Sequence, residues 1–187
     1  MVVFSEVFLS ELLGVRVVDR TEKTLGTIRD VLATFQEPFP KVVGFYLHRE
    51  DGHKKGMVLL SDIDVVGRQI VVTRNPADRI AFVDPRNEEI RLAKHILDRQ
   101  IVDVNGARVV RVNDLKIALV GQDVRVIAAD VGFSGLLRRL GLLTLVRGLA
   151  GLFRIRIREV LIGWNYVEPV ESDFARGVIA IPHARIG

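Results

Sequence analysis

The sequence predicts a mainly β protein built as two tandem small β-barrels, with short helices and a helical insertion in the second barrel. Three observations predict it: short apolar stretches that alternate like strands, turn-forming residues between them, and a near-repeat of one half of the chain in the other. The segment from Leu13 to Asp30 reads LGVRVVDRTEKTLGTIRD, and that from Leu97 to Asp114 reads LDRQIVDVNGARVVRVND. Asp19 aligns with Asp103 and Asp30 with Asp114 at one offset of 84 residues, without a gap. Val17 and Val18 fall on Ile101 and Val102, and Ile28 falls on Val112, so apolar pattern, turn and closing Asp coincide.

The elements follow in order. Ser5 reads as the N-cap of a short helix to Leu13, with Phe8, Leu9, Leu12 and Leu13 on one face. Val15 to Val18 then reads as a strand, Thr21 to Lys23 as a polar turn, and Ile28 to Thr34 as a second strand. KVVGFYLH, residues 41–48, is a strong third strand; the polar EDGHKKG turn reverses the chain into a fourth, Met57 to Leu60, and SDIDVVGRQIVV supplies a short turn and a closing strand. Asn75 to Asn87 carries two prolines and several turn formers, which places the linker there and the two units at residues 1–80 and 81–187. The second unit opens on a helix from Glu88 to Leu97, with Ile90, Leu92, Ala93, Ile96 and Leu97 as its apolar set. Gln100 to Val104 and Val109 to Leu119 form its first strands around Asn105-Gly106, a favoured hairpin turn because both residues tolerate positive φ. Asp123 to Asp130 is its third strand, and Glu159 to Ile162 with GWNYVEPV its fourth and exit. Between these lies the helical insertion, centred on about 133–153.

Composition narrows the function. The chain has 187 residues, 49% hydrophobic and 6% aromatic, enough for a real core shared between two small halves. It has no cysteine, which excludes disulfides, thiolate catalysis and Cys-ligated zinc or iron–sulfur sites, and fits a cytoplasmic setting. Glu6 and Glu11 interrupt the start before any long apolar run, and neither a basic n-region nor a small-residue cleavage site is present, so no signal peptide is expected. The most lipid-like stretch, Leu140 to Phe153, is broken by Arg147 and flanked by Arg138, Arg139 and Arg154, too short and too charged for a membrane span. Net charge is +4, carried by arginine far more than lysine, which is weak evidence for nucleic acid.

The order of a short helix, the LGxxVVD-turn-LGxIxD pattern, then apolar strand, turn and apolar strand, twice over, resembles the PRC-barrel superfamily. That superfamily includes the cytoplasmic domain of the photosynthetic reaction-centre H subunit and the C-terminal domain of the ribosome maturation factor RimM. The second half, DVGFSGLLRRLGLL followed by an Arg-rich apolar stretch and LIGWNYVEPV, is similar to the tandem PRC-barrel region ahead of the helical N and CBS domains of some MgtE-like magnesium-transporter homologues. The resemblance implies a non-enzymatic cytoplasmic regulatory or protein-interaction module, the N-terminal part of a longer chain, at the inner face of a membrane. Its partners would be its own downstream domains or a second subunit, as in a homodimer. The chain itself carries no CBS pair and no transport domain, so the transporter association is inherited from the resemblance. An RNA- or ribosome-associated adaptor like RimM, and a direct Mg²⁺ sensor, are the alternatives.

Asp19, Asp30, Asp103 and Asp114 are the candidate metal ligands, since repeated carboxylates suit Mg²⁺, the one cofactor considered. An Asp beside a turn also hydrogen-bonds the local backbone, and this reading is preferred. Asp62 and Asp64 are too few to specify a cation site, and His48, His53, His95 and His183 show no metal-binding spacing. No GxSxG, Walker A or GxGxxG motif occurs, so no enzyme is expected. From Val131 to Arg158 the insertion has no acidic residue, and its leucines point to several sides. Such a helix has no clean solvent face and belongs between elements or against a partner. Leu136, Arg138, Arg139, Leu140, Leu143 and Arg147 are therefore the candidate partner-binding residues, with Gly141, Gly148 and Gly151 dividing the segment into shorter helices. Trp164 reads as a core or rim anchor.

Overall fold

Runs of Val, Ile and Leu punctuated by Asp, Gly and Pro make short strands, because branched side chains fit a pleated surface and the punctuating residues fit turns. The computed structural model of the protein describes residues 5–48, 56–143, 146 and 159–169. The first half contains β1 (Glu6–Phe8), α1 (Leu9–Leu12), β2 (Arg16–Val18), β3 (Thr24–Thr34), β4 (Lys41–His48), β5 (Gly56–Leu59), β6 (Ile63–Val66) and β7 (Ile70–Thr73). The second contains β8 (Glu89–Arg91), α2 (Leu92–His95), β9 (Gln100–Asp103), β10 (Arg108–Arg111), β11 (Asp114–Val120), β12 (Asp123–Asp130), α3 (Phe133–Arg139), β13 (Leu161–Gly163) and β14 (Val167–Pro169). Short 3₁₀ turns follow β5 and β13, at Leu60–Asp62 and Trp164–Tyr166. The protein is mainly β, and its principal sheet curls into a half-barrel.

That sheet runs β1-β11-β12-β4-β3-β2-β7-β6, with β5 beside β4, β8 beside β3 and β13 beside β12; a second sheet holds β10-β9-β14. Among the described residues all pairs are antiparallel except β2 with β7. The registers repeat. In β3 and β4, Leu32 faces Gly44 and, after a bulge, Ala33 faces Val42. In β11 and β12, Lys116 faces Ala128 and, after a bulge, Ile117 faces Val126, each residue 84 places on. Gly14 donates to the Ile28 carbonyl and Asp98 to that of Val112, and both residues stand in the left-handed region, at φ 83° and 65°. A side chain is tolerated there less readily than glycine, and Asp is one of the few that does so.

The N-terminal units change places. β1 lies on β11, with Val7 opposite Ile117, and β8 lies on β3, with Ile90 opposite Ala33. The halves also join directly through Lys41 of β4 and Arg125 of β12, a pair that is itself 84 residues apart. The pairing therefore runs across the halves, and no strand path among the described residues closes either half on itself. One core results: Leu9, Leu12 and Val31 from the first half pack in the same buried cluster as Leu92, Ile96 and Leu115 from the second.

Several expectations need local correction. Neither segment 5–13 nor segment 88–97 is one helix: each is a three-residue strand followed by a single helical turn. The buried Val7 and Ile90 alternate with more exposed neighbours and seek a strand partner, while Leu9, Leu12 and Leu92 turn into the core. The N-cap is Phe8, not Ser5, with Glu11 accepting from the Phe8 N–H. Val109 to Leu119 is split into β10 and β11 at Val112 and Asn113, because the Val112 N–H turns back to the Arg99 carbonyl. The β9–β10 loop spans Val104 to Ala107, and its left-handed residue is Ala107, at φ 47°, not Asn105 or Gly106. The linker is partly ordered, with a 3₁₀ turn at Ala77–Arg79, buried Ile80, and a bridge from Val83 to Met57. Among the described residues no helix is long and apolar enough to cross a membrane.

Candidate functional site

The four repeated aspartates are all buried, and each is surrounded by donors of the chain itself. Asp19 accepts from the Thr21 N–H at 2.8 Å, the Thr21 hydroxyl at 2.6 Å, the Lys23 N–H at 3.0 Å and the Ala77 N–H at 2.9 Å. These bonds, the Thr21 hydroxyl foremost, hold its carboxyl down to about 2. Asp103 accepts from the Gly106 N–H and from Arg108, and the Gly106 bond is the main cause of its lowered pKa.

Asp30 and Asp114 do something else: each caps the helix of the opposite half. Asp30 accepts from the Ala93 N–H at 2.7 Å and the Lys94 N–H at 3.1 Å, at the start of α2, and from Arg91 at 3.2 Å. Asp114 accepts from the Ser10 N–H at 3.1 Å and the Ser10 hydroxyl at 2.6 Å, at the start of α1. The orphan N–H groups of a helix start attract an anion, and here that anion is built in. Burial pushes Asp114 up, while the Ser10, Leu115 and Arg138 hydrogen bonds oppose the rise.

Arg138, at the end of α3, completes the Asp114 site. Its side chain is 9% exposed; one nitrogen lies 3.1 Å from Asp114 and 3.2 Å from Asp130, the other 3.1 Å from Glu159. The guanidinium stacks 3.3 Å over the Phe8 ring. At the Asp30 site the corresponding charge comes from Arg91 of β8, which stacks 4.1 Å over Tyr46 and pairs with Asp30. A planar, always charged fork is the group that can serve several carboxylates and a ring at once. Asp130 also accepts from the Gly132 N–H, so ionic and hydrogen-bonded contacts to β11 and β12 hold α3 beside its buried Leu137. Beside this cluster a cavity of about 480 Å³ is lined by Glu6, Phe8, Glu11, Lys116, Arg138 and Glu159 among others. Its charges pair across it, Lys116 with Glu6 and Arg138 with Glu159.

The structure thus joins two predicted site residues, Asp114 and Arg138, and leaves Asp19, Asp30 and Asp103 at separate places. Among the described residues no three His, Cys, Asp or Glu side chains gather as a metal-binding group. His48 is exposed at the end of β4; His95 is half-buried, and burial lowers its pKa; His53 and His183 lie outside the described residues. Of the insertion residues, Leu136 is half-buried, Arg139 pairs with Asp98 at 2.9 Å, Leu143 lines the cavity and Leu140 is 58% exposed. Arg147 lies outside the described residues. Gly141 ends α3 at φ 70°, its N–H donating to the Arg138 carbonyl, which is the left-handed stop that glycine permits. Sequence reasoning missed Phe8, Ser10, Asp130 and Glu159, and also Phe133, which is 63% exposed. The signal for Asp130 was present: one acid closing the apolar RVIAAD strand, just before a segment with only basic charges. Compared with protein-family models and with curated proteins, the chain matches none of them.

Proposed function

We propose that the protein is a non-enzymatic regulatory or protein-interaction module of PRC-barrel type, made of tandem copies at residues 1–80 and 81–187 whose N-terminal strand–helix units are exchanged. The observation that carries this reading is the insertion: α3 is fixed by a guanidinium whose charge is consumed inside the protein, while Phe133, Leu140 and Leu142 face solvent around it. An apolar patch with paired charges at its edge suits a protein partner, because the core of an interface excludes unpaired charge. The same pairing speaks against a phosphate backbone, since Arg138 and Arg139 are already engaged. The donor-saturated aspartates likewise favour a structural role over Mg²⁺ sensing.

The partner in this reading is the helical N and CBS region of an MgtE-like chain, at the cytoplasmic side of a membrane. Calorimetric titration of such a purified N–CBS segment with this protein tests it. Saturable binding is expected, weakened ~10-fold or more by Leu140→Glu with Leu142→Glu, as for central interface residues. No heat, or equal affinity in that folded variant, would reject the reading.

A further inference from the structure

The repeated registers set two places in the fold side by side, one filled and one open. Phe35 follows β3 and Leu119 stands at the same position in β11; Trp164 opens the turn after β13 and Leu60 the turn after β5. On the first of these sides Phe35 and Trp164 are 2% and 6% exposed, with ring centroids 5.9 Å apart and planes at 63°, an edge-to-face pair. On the other side two leucines replace two aromatic rings, and a solvent-open groove of about 490 Å³ remains between them. Val42, Ile63 and Val124 form its buried walls, while Leu59 and Leu119, the latter 40% exposed, form its lip. Phe39, which packs on the core, has Asp123 as its counterpart, and that carboxylate is held by Lys41 at 2.6 Å and Arg125 at 2.7 Å.

Arg74 lines the groove and is exposed; its Nε donates to the Ile63 carbonyl at 2.9 Å, and it forms no ion pair among the described residues. The groove therefore offers buried apolar walls and, at its edge, a guanidinium without an ion pair among the described residues.

We infer that this groove receives an aromatic side chain of a partner peptide that carries Asp or Glu next to it. The ring takes the place that Phe35 and Trp164 fill on the other side, and the neighbouring carboxylate meets Arg74. The inference uses no residue of the insertion and stands apart from the role proposed for it.

NMR titration of the full chain tests it with acetyl-Asp-Trp-amide as the probe, acetyl-Lys-Trp-amide as the charge-reversed control and acetyl-Asp-Ala-amide as the ring-free control. The Asp-Trp probe is expected to give saturable shifts confined to amides around Val42, Leu60 and Leu119. The Lys-Trp peptide should bind ~3-fold more weakly, as for an exposed charge pair, and Arg74→Glu should reverse that preference. The Asp-Ala peptide should give no shifts. Leu60→Trp with Leu119→Phe rebuilds the aromatic pair inside the groove and should abolish binding; Leu119→Phe alone serves if the double variant does not fold. No groove shifts at the probe's solubility limit, equal binding of the Lys-Trp peptide, or unchanged affinity in a folded filled variant would overturn the inference.

Discussion

Asp114 and Asp19 are both buried carboxylates, yet they titrate in opposite directions because different forces dominate. For Asp114 removal from water wins, so its folded-state pKa stands above the ordinary carboxylate value. Between those two values the folded protein holds the proton more tightly than the unfolded chain, and stability falls as pH rises through that interval. For Asp19 the Thr21 hydroxyl and the surrounding N–H groups win. Its contribution is complete above the ordinary carboxylate value and is lost as pH falls toward about 2. Urea unfolding of wild type, Asp114→Asn and Asp19→Asn across the acid range checks both signs. The stability gap between wild type and Asp114→Asn should shrink as pH rises through the interval, and the gap to Asp19→Asn should close on acidification; pH-independent gaps would show that the titrations are uncoupled from folding. The turn role of Asp19 was legible in the sequence, since its donors at Thr21 and Lys23 are two and four residues away. The cap that Asp114 places on Ser10 was not, because 104 residues separate donor from acceptor.

At the scale of elements, α3 shows what an ionic fastening does. Two acids with no exposed surface, Asp114 and Asp130, share one nitrogen of Arg138. Removing that cation leaves buried charges without a partner, a loss of about 3–5 kcal/mol. Arg138→Ala should lower the unfolding free energy by that order, and adding Asp114→Asn and Asp130→Asn should restore much of it, as urea unfolding would report. A single variant that unfolds like wild type would mean that α3 is held by its apolar contacts instead. Strands were the legible elements. β4 and β12 begin and end at the residues their apolar alternation indicates, 41–48 and 123–130. β1 and β8 were hidden because Phe8, Leu9, Leu12 and Leu13 have helical spacing, and a three-residue strand running into one helical turn leaves too short a pattern to separate the two.

At the scale of the whole molecule, the 84-residue offset seen in the sequence reappears in the registers of β3–β4 and β11–β12, but it did not indicate on which strands β1 and β8 would lie. A strand of three residues gains little unless it joins a wider sheet and covers a core, and β1 and β8 each find both on the opposite half. The helix that follows each strand then meets a carboxylate from the same foreign half, so pairing, burial and capping are all supplied across the halves. Nothing in a sequence distinguishes this from each strand folding back on its own half, because the host strands β3 and β11 present matching registers.

Because the chain contains no cysteine, disulfide trapping can decide between these arrangements. Glu6 faces Ala118 and Thr34 faces Glu89 across the exchanged strands. Directly opposed residues of an antiparallel pair stand within disulfide reach, whereas residues on strands that are not neighbours, such as β1 and β3, do not bridge without backbone movement. Monomeric cross-linking of Glu6→Cys/Ala118→Cys and of Thr34→Cys/Glu89→Cys is the expected result, with Glu6→Cys/Thr34→Cys staying reduced. Cross-linking of the last pair in place of the first two would contradict the exchange on which this account rests.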